Sequence, residues 1–173
     1  INQALLPHKV TIFESKTYTE TVHAIQSMII RGAPTIGAAA AYGFSQAVYE
    51  YESKKLEDSF LEQAYNELLQ CRPTAVDLRN GLDAVKKAIL NKTSFKIAYE
   101  AADDFANKIK EEARKISIFG EKLLYDGIRV LTHCNTGPLA TIDFGTALGP
   151  MLRAHKNGVS VTIYVDETRP RLQ

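Results

Sequence analysis

Polar and apolar side chains alternate over residues 9–14, KVTIFE, as they do in a half-buried strand, and the preceding Leu-Leu-Pro segment suits a hairpin partner. Val22, Ile25, Met28 and Ile29 fall on one face of a helix expected to open at Thr19 and to run to Gly32. Pro34 suits a first helical position, and the run TIGAAAAYGFSQAVYEY behind it predicts a helix whose small residues leave room for close neighbours. Further helices are expected over residues 59–70, from 74 to about 90 and from 94 to about 115, each opening near a Ser or Thr cap. The first part of the chain thus reads as mainly helical behind a small opening sheet.

The pattern changes near residue 120. EKLLYDG closes a helix, and IRVLTHC is a short apolar run bounded by Gly127 and Asn135, as in a buried strand. Asn135 to Pro138 form a turn, Leu139 to Ala154 predict a helix, and Val159 to Val165 predict a second β-branched strand after Gly158. Strand, helix, strand makes a crossover and therefore a parallel pair. Parallel sheets are normally covered on both faces and built from more than two strands. Further strands are therefore expected from a continuation or another chain, and with Ile1 in place of an initiator Met the sequence reads as a fragment or a processed chain. The expected fold class is α/β: residues 1–117 form a mainly helical domain with a small sheet, and residues 118–173 begin a Rossmann-like parallel-sheet domain that is incomplete.

Composition narrows the function. With 173 residues, 45% of them hydrophobic, the chain can bury a sizeable core. The 21 basic and 20 acidic side chains nearly cancel without forming a block, which argues against nucleic acid or an anionic membrane as partner. No apolar stretch reaches membrane-spanning length, and a cytoplasmic protein with reduced thiols is expected. Two cysteines, Cys71 and Cys134, cannot build a disulfide framework, and four scattered histidines give no metal-ligand spacing. A G-x-G-x-x-G fingerprint is also missing.

Candidate chemistry concentrates in four places. Arg31-Gly32-Ala33-Pro34 sets a guanidinium before a glycine turn that opens a helix, so a forked cation and backbone N–H groups could meet one anion. Taken alone, this pattern is more often a helix corner with a solvent-exposed arginine. Arg72-Pro73-Thr74 repeats the arrangement at a later helix start, with the same alternative. Cys134 ends the first predicted strand just ahead of a turn and a helix, where ligands bind in open α/β sheets and where a thiol can share in acid–base work. A buried, inert cysteine is the alternative for Cys134 and the expected state of Cys71. His133 should point to the opposite strand face and read as a structural histidine rather than the partner of a Cys–His nucleophile. Asp166-Glu167-Thr168-Arg169-Pro170-Arg171 gathers charge at the end of the second strand, beside Cys134 in a parallel pair, although such runs are usually solvated loops.

These strings resemble the methylthioribose-1-phosphate isomerases over the whole chain: RGAPTIGAAAAYG from Arg31, RPTAVDL from Arg72, LTHCNTGPLAT with GTALG from Leu131, and DETRPRLQ from Asp166. The first two are shared with a wider family that includes regulatory subunits of the translation-initiation guanine-nucleotide exchange factor and ribose-1,5-bisphosphate isomerase. The last two are narrower. The resemblance implies that Cys134 is the catalytic thiol and that Arg31, Gly32, Ala33, Arg72 and Gln173 bind the sugar phosphate. It places a catalytic aspartate and an Asn-Lys pair beyond Gln173. The sequence departs from the family at Asp77, where Asn is common, and at Arg79-Asn80-Gly81, where an aromatic-containing stretch is usual.

The activity so implied is the aldose-to-ketose interconversion of 5-methylthioribose 1-phosphate in methionine salvage, carried out by a homodimer without cofactor. Ribose-1,5-bisphosphate isomerase activity is a second enzyme reading. A non-catalytic regulatory subunit is a third, against which the retained Cys134 in its Thr-His-Cys-Asn setting argues.

Overall fold

A computed structural model of the chain describes residues 1–167, so Gln173, Thr168 and the Arg169-Pro170-Arg171 run lie outside the described residues. The chain divides into two compact units, Ile1–Asn107 and Lys108–Gln173, and the division falls within one helix.

The first unit opens with a short 3-10 helix, Gln3–Leu5, followed by α1 (Tyr18–Gln26), α2 (Ala33–Lys54), α3 (Asp58–Gln70), α4 (Val76–Ala88) and the start of α5 (Phe95–Glu121). The small residues of α2 let it serve as the central helix. Ile36, Ala40, Ala41, Phe44, Ala47 and Val48 recur at three- and four-residue spacing and are buried against Leu78, Leu82 and Val85 of α4, Ile25 of α1, Leu68 of α3 and Ala98 of α5. Each large aliphatic or aromatic side chain so buried contributes about 1.5–3 kcal/mol.

Where α2 meets α4, backbone lies on backbone. A Cβ at Gly37 would stand 2.5 Å from the carbonyl oxygen of Asp77, and one at Gly81 would collide with the carbonyl oxygen of Gly37. The two glycines are the condition for the crossing.

The expected opening sheet does not form: among the described residues the first unit contains no strand. Residues 9–14 stay without regular structure, with Val10 73% and Ile12 76% exposed. Alternation favours an extended chain but needs a partner ladder, and the Leu-Leu-Pro segment does not supply one. Residues 3–5 instead coil under an Asn2 cap, and a backbone bond from Asn2 N to Thr11 O (2.8 Å) joins the two segments.

The first helix is shorter than its apolar spacing predicts. It ends at Gln26, because Met28 adopts a left-handed φ of 61° and Ile30 N donates back to Ala24 O (3.1 Å), closing the helix while Ile29 stays buried. Nor do Ser59 and Thr74 cap helices: α3 and α4 have Glu57 and Ala75 at their N-caps, without a side-chain bond. Thr17 does cap α1, accepting from Glu20 N at 3.2 Å.

In the second unit β1 (Ile128–Thr132) and β2 (Val161–Val165) pair in parallel, with Ile128 opposite Val161 and Thr132 opposite Val165, as the crossover requires. The helix expected over 139–154 is two helices, α6 (Pro138–Thr141) and α7 (Leu148–Lys156). Ile142, Phe144 and Gly145 all take positive φ between them, and the Thr141 hydroxyl donates to Asp143 O (2.9 Å) and accepts from Gly145 N (3.1 Å). That local hydroxyl network competes with the helical ladder and wins.

The predicted burial of the strands is also incomplete. Ile128, Val130, Val161 and Ile163 are half-buried, whereas Leu131 is 70% and Tyr164 53% exposed on the other face. β2 packs with α7, and α7 is seated on the end of α5 by Arg153 to Glu121 (2.5 Å) and by Pro150 against Gly120.

Gly81→Ala gains helix propensity but meets a carbonyl that cannot rotate away. Its unfolding free energy in denaturant titration is expected to fall by about 2 kcal/mol. An unchanged or increased stability would show that the crossing relaxes freely.

Candidate functional site

The sequence candidates divide between the units. In the first unit, Gly32 is the N-cap of α2 with φ 96°, a setting that favours glycine, and its carbonyl accepts from Ile36 N at 2.8 Å. Glycine offers no capping side chain, so this 22-residue helix starts without a side-chain cap. Ala33 beside it is exposed and Arg31 half-buried. The loop is fastened from behind, since Gln3 N donates to Ile29 O (2.9 Å) and Gln3 Nε2 to Arg31 O (3.4 Å).

Arg72 follows the end of α3, and its carbonyl accepts from Ala75 N (2.9 Å) in the turn that leads into α4. Its Nη1 is buried and has no hydrogen-bond partner among the described residues. A buried charged donor left unmatched is costly, and an anion is the group that would satisfy it. The α2–α4 crossing relates this turn to the glycine loop. Gly37 lies roughly 6 Å along the axis from Ala33, and Asp77 is one residue past the start of α4, so both helices begin within about a turn of their closest approach.

The second unit carries Cys134, two residues past the end of β1. Its thiol is exposed and its φ is 66°, in the left-handed region that non-glycine residues seldom occupy. The neighbours are pinned. Thr132 and Thr136 hydroxyls bond at 2.9 Å, Thr136 O accepts from Thr146 N at 2.9 Å, and Asn135 Oδ1 accepts from Gly137 N at 3.4 Å. Asn135 Nδ2 is buried without a hydrogen-bond partner among the described residues.

His133 does not follow the strand alternation expected of it. β1 has already ended at Thr132, so the pleat no longer orients it, and its side chain is 87% exposed with Nδ1 2.6 Å from Asp166 Oδ2. Asp166, the first residue of the charged run after β2, therefore meets the loop after β1. The pairing of His133 with Asp166 escaped the sequence reading, although the register that sets Thr132 beside Val165 contains it. Gln173 lies outside the described residues.

Cys71 is the contrasting thiol. It is buried, its Sγ donates to Glu67 O (3.3 Å), and burial pushes its pKa up from 9.0 to about 11. Among the described residues no group of three or more His, Cys, Asp or Glu side chains could hold a metal ion, and no helix is long and apolar enough to cross a membrane. A cavity of about 250 Å³ in the second unit, lined by Ser117, Pro138, Phe144, Leu152, Arg153 and Lys156 among others, contains none of the candidate residues.

Comparison with known proteins gives these features a context. Residues 29–173 match the model of the Initiation factor 2 subunit family. The chain is 41% identical to a methylthioribose-1-phosphate isomerase of Thermoanaerobacter sp. (strain X514), over 100% of this chain and 52% of that protein. It thus spans about half the length of the relatives it matches. Two solved structures are similar over 99% of the chain. The translation initiation factor eIF-2B, subunit delta, from A. fulgidus has a TM-score of 0.85 at 36% identity, with 52% of it covered. The 5-methylthioribose 1-phosphate isomerase from Pyrococcus horikoshii OT3 has a TM-score of 0.84 at 35% identity, with 50% covered.

The two thiols should part in reactivity. Iodoacetamide at neutral pH is expected to label Cys134 and leave Cys71 unmodified until the fold opens, as mass spectrometry of the digest would show. Equal labelling of both in the folded protein would contradict the burial of Cys71. Because the folded state holds the Cys71 proton more tightly than the unfolded one, its contribution to stability is fully present below pH 9.0 and is lost as pH rises towards about 11. Thermal melts from pH 8 to 11 should fall more gently for Cys71→Ala.

Proposed function

The chain belongs to the Initiation factor 2 subunit family, and we propose that it serves there in a sugar-phosphate isomerase that converts 5-methylthioribose 1-phosphate to the corresponding ketose phosphate. The observation that carries this reading is Cys134, an exposed thiol held at positive φ past the C-terminal end of a parallel strand. Residues held in such sparsely populated conformations cluster at active sites and ligand clamps. The names of relatives similar over the whole chain support the same substrate.

Each unit contributes by its own chemistry. In the first, Arg31, Gly32, Ala33 and Arg72 bind the sugar phosphate. The planar guanidinium of Arg72 brings a buried donor with no partner among the described residues, and the uncapped start of α2 adds backbone N–H groups and the positive end of a long helix. In the second, Cys134 handles a proton at the first two sugar carbons. A phosphate on the anomeric oxygen blocks simple ring opening, so the site must first weaken the ring, and positioned acid–base groups are what that step requires. The aspartate that the family resemblance sets beyond Gln173 is the second such group. Gln173 contacts substrate in the same reading. Residues 118–173 begin a Rossmann-like domain, and the protein is a cytoplasmic homodimer of methionine salvage.

A second reading has one specific observation in its favour: the solved neighbour named for an initiation-factor subunit is as similar as the one named for the isomerase. In that reading the same scaffold binds a partner protein and Cys134 has no chemistry to perform.

The test supplies the full-length protein with 5-methylthioribose 1-phosphate and follows ketose phosphate formation. Wild type is expected to turn over, and Cys134→Ala to lose roughly 10²–10⁴-fold in kcat, the range of a lost acid–base group. Arg72→Ala should raise KM by roughly tenfold or more, the value of a charged hydrogen bond. Turnover of ribose 1,5-bisphosphate alone would move the assignment to that isomerase. No turnover of either sugar, with capture of initiation-factor subunits, would establish the regulatory reading.

A further inference from the structure

The left-handed backbone at Cys134 has to be held, because cysteine has neither the freedom of glycine nor the short polar side chain with which Asn and Asp bond their own backbone there. On the C-terminal side the restraints are dense: the Asn135 carboxamide, the Thr132–Thr136 hydroxyl bond and the Thr146 N to Thr136 O bond. Gly145, at φ 82°, lets the Thr136 carbonyl lie close against it, since a Cβ at Gly145 would stand 2.5 Å from that oxygen.

On the N-terminal side two bonds cross to the strand next door. Asp166 N donates to Thr132 O (3.3 Å), extending the ladder one residue beyond the strands, and the Asp166 carboxylate meets His133 Nδ1 at 2.6 Å. An ionised carboxylate only accepts, so Nδ1 carries the proton that is shared, and in the neutral ring Nε2 is left as an acceptor. One residue of the loop after β2 thus holds the two residues before Cys134, Thr132 by backbone and His133 by side chain.

We propose that His133 and Asp166 form a positioning clamp that holds the Cys134 thiol in its exposed, left-handed setting. The role in catalysis rests on the reading of Cys134 as the reacting thiol, while the clamp itself does not. The pair also links the two β-α loops. With His133 87% and Asp166 47% exposed, the pair contributes little to global stability, and its removal should leave the fold in place. The cost of releasing it falls on the loop.

The experiment compares His133→Ala, Asp166→Ala and His133→Asn in the full-length protein. Asn places an N–H where Nδ1 stood and so keeps the bond to Asp166 while removing the imidazole. Amide hydrogen exchange over residues 132–137 should quicken about fivefold in the two alanine variants and return towards wild type in His133→Asn, with melting temperatures unchanged. Turnover should follow the same order: kcat falls roughly tenfold to a hundredfold in the alanine variants at nearly constant KM, and His133→Asn recovers most of it. Unchanged exchange and kcat in both alanine variants would overturn the clamp. A His133→Asn protein as slow as His133→Ala, with exchange restored, would overturn it as well, by making the imidazole itself part of the chemistry. If the wild type turns over neither sugar phosphate, the isomerase reading fails alone, and the exchange rates still support or overturn the clamp.

Discussion

The first unit depends on the contact of α2 with α4, where Gly37 and Gly81 let one helix backbone lie directly on the other. Close packing of this kind has no soft side chain to absorb a change. The crossing sets the separation of the two helices and, with it, the faces that bury Ile36, Ala40, Phe44, Leu78 and Leu82. It also lies within about a turn of both helix starts, so the Arg31–Ala33 loop and the Arg72 turn are placed by backbone geometry rather than by their own side chains. For residues meant to grip an anion this is an advantage, since a rigid frame leaves less to be ordered when the ligand arrives.

The second unit solves a different problem with different means. Its parallel pair is short and bare on one face, so little of its order comes from burial. What fixes the loop around Cys134 is a set of short-range bonds: two threonine hydroxyls, an asparagine carboxamide, a glycine backbone and the bond from His133 to Asp166. Polar restraints suit an exposed thiol, because they hold the backbone while leaving the sulfur open. The two cysteines mark the contrast: burial raises the Cys71 pKa to about 11 and silences it, whereas Cys134 stands in the open.

Much of this was legible beforehand. Period-3.6 spacing located the helices of the first unit, and the strand-helix-strand order required a parallel pair. The failures share a cause. KVTIFE alternates as a strand should, yet alternation describes a side chain's two faces and not the availability of a neighbour. The apolar spacing of Val22 to Ile29 runs past the end of α1 because buried residues keep their spacing even where the backbone has turned out of the helix at Met28. The apolar pattern of 139–154 hides a break made by the hydroxyl of Thr141, a competitor that periodicity does not register.

The sequence by itself determined the helical character of the first unit, the parallel crossover of the second, and the motifs that relate Arg31, Arg72 and Cys134 to a family, because spacing and residue type are local properties of the chain. Only the tertiary structure decided that Gly37 and Gly81 touch, that Arg72 holds a buried nitrogen with no partner among the described residues, and that His133 meets Asp166 beside a cysteine on left-handed backbone. Each of these joins residues that are 33 or more positions apart, or depends on what surrounds one atom. Such facts arise from the register of strands and the crossing of helices, which hydrophobic pattern permits but does not specify.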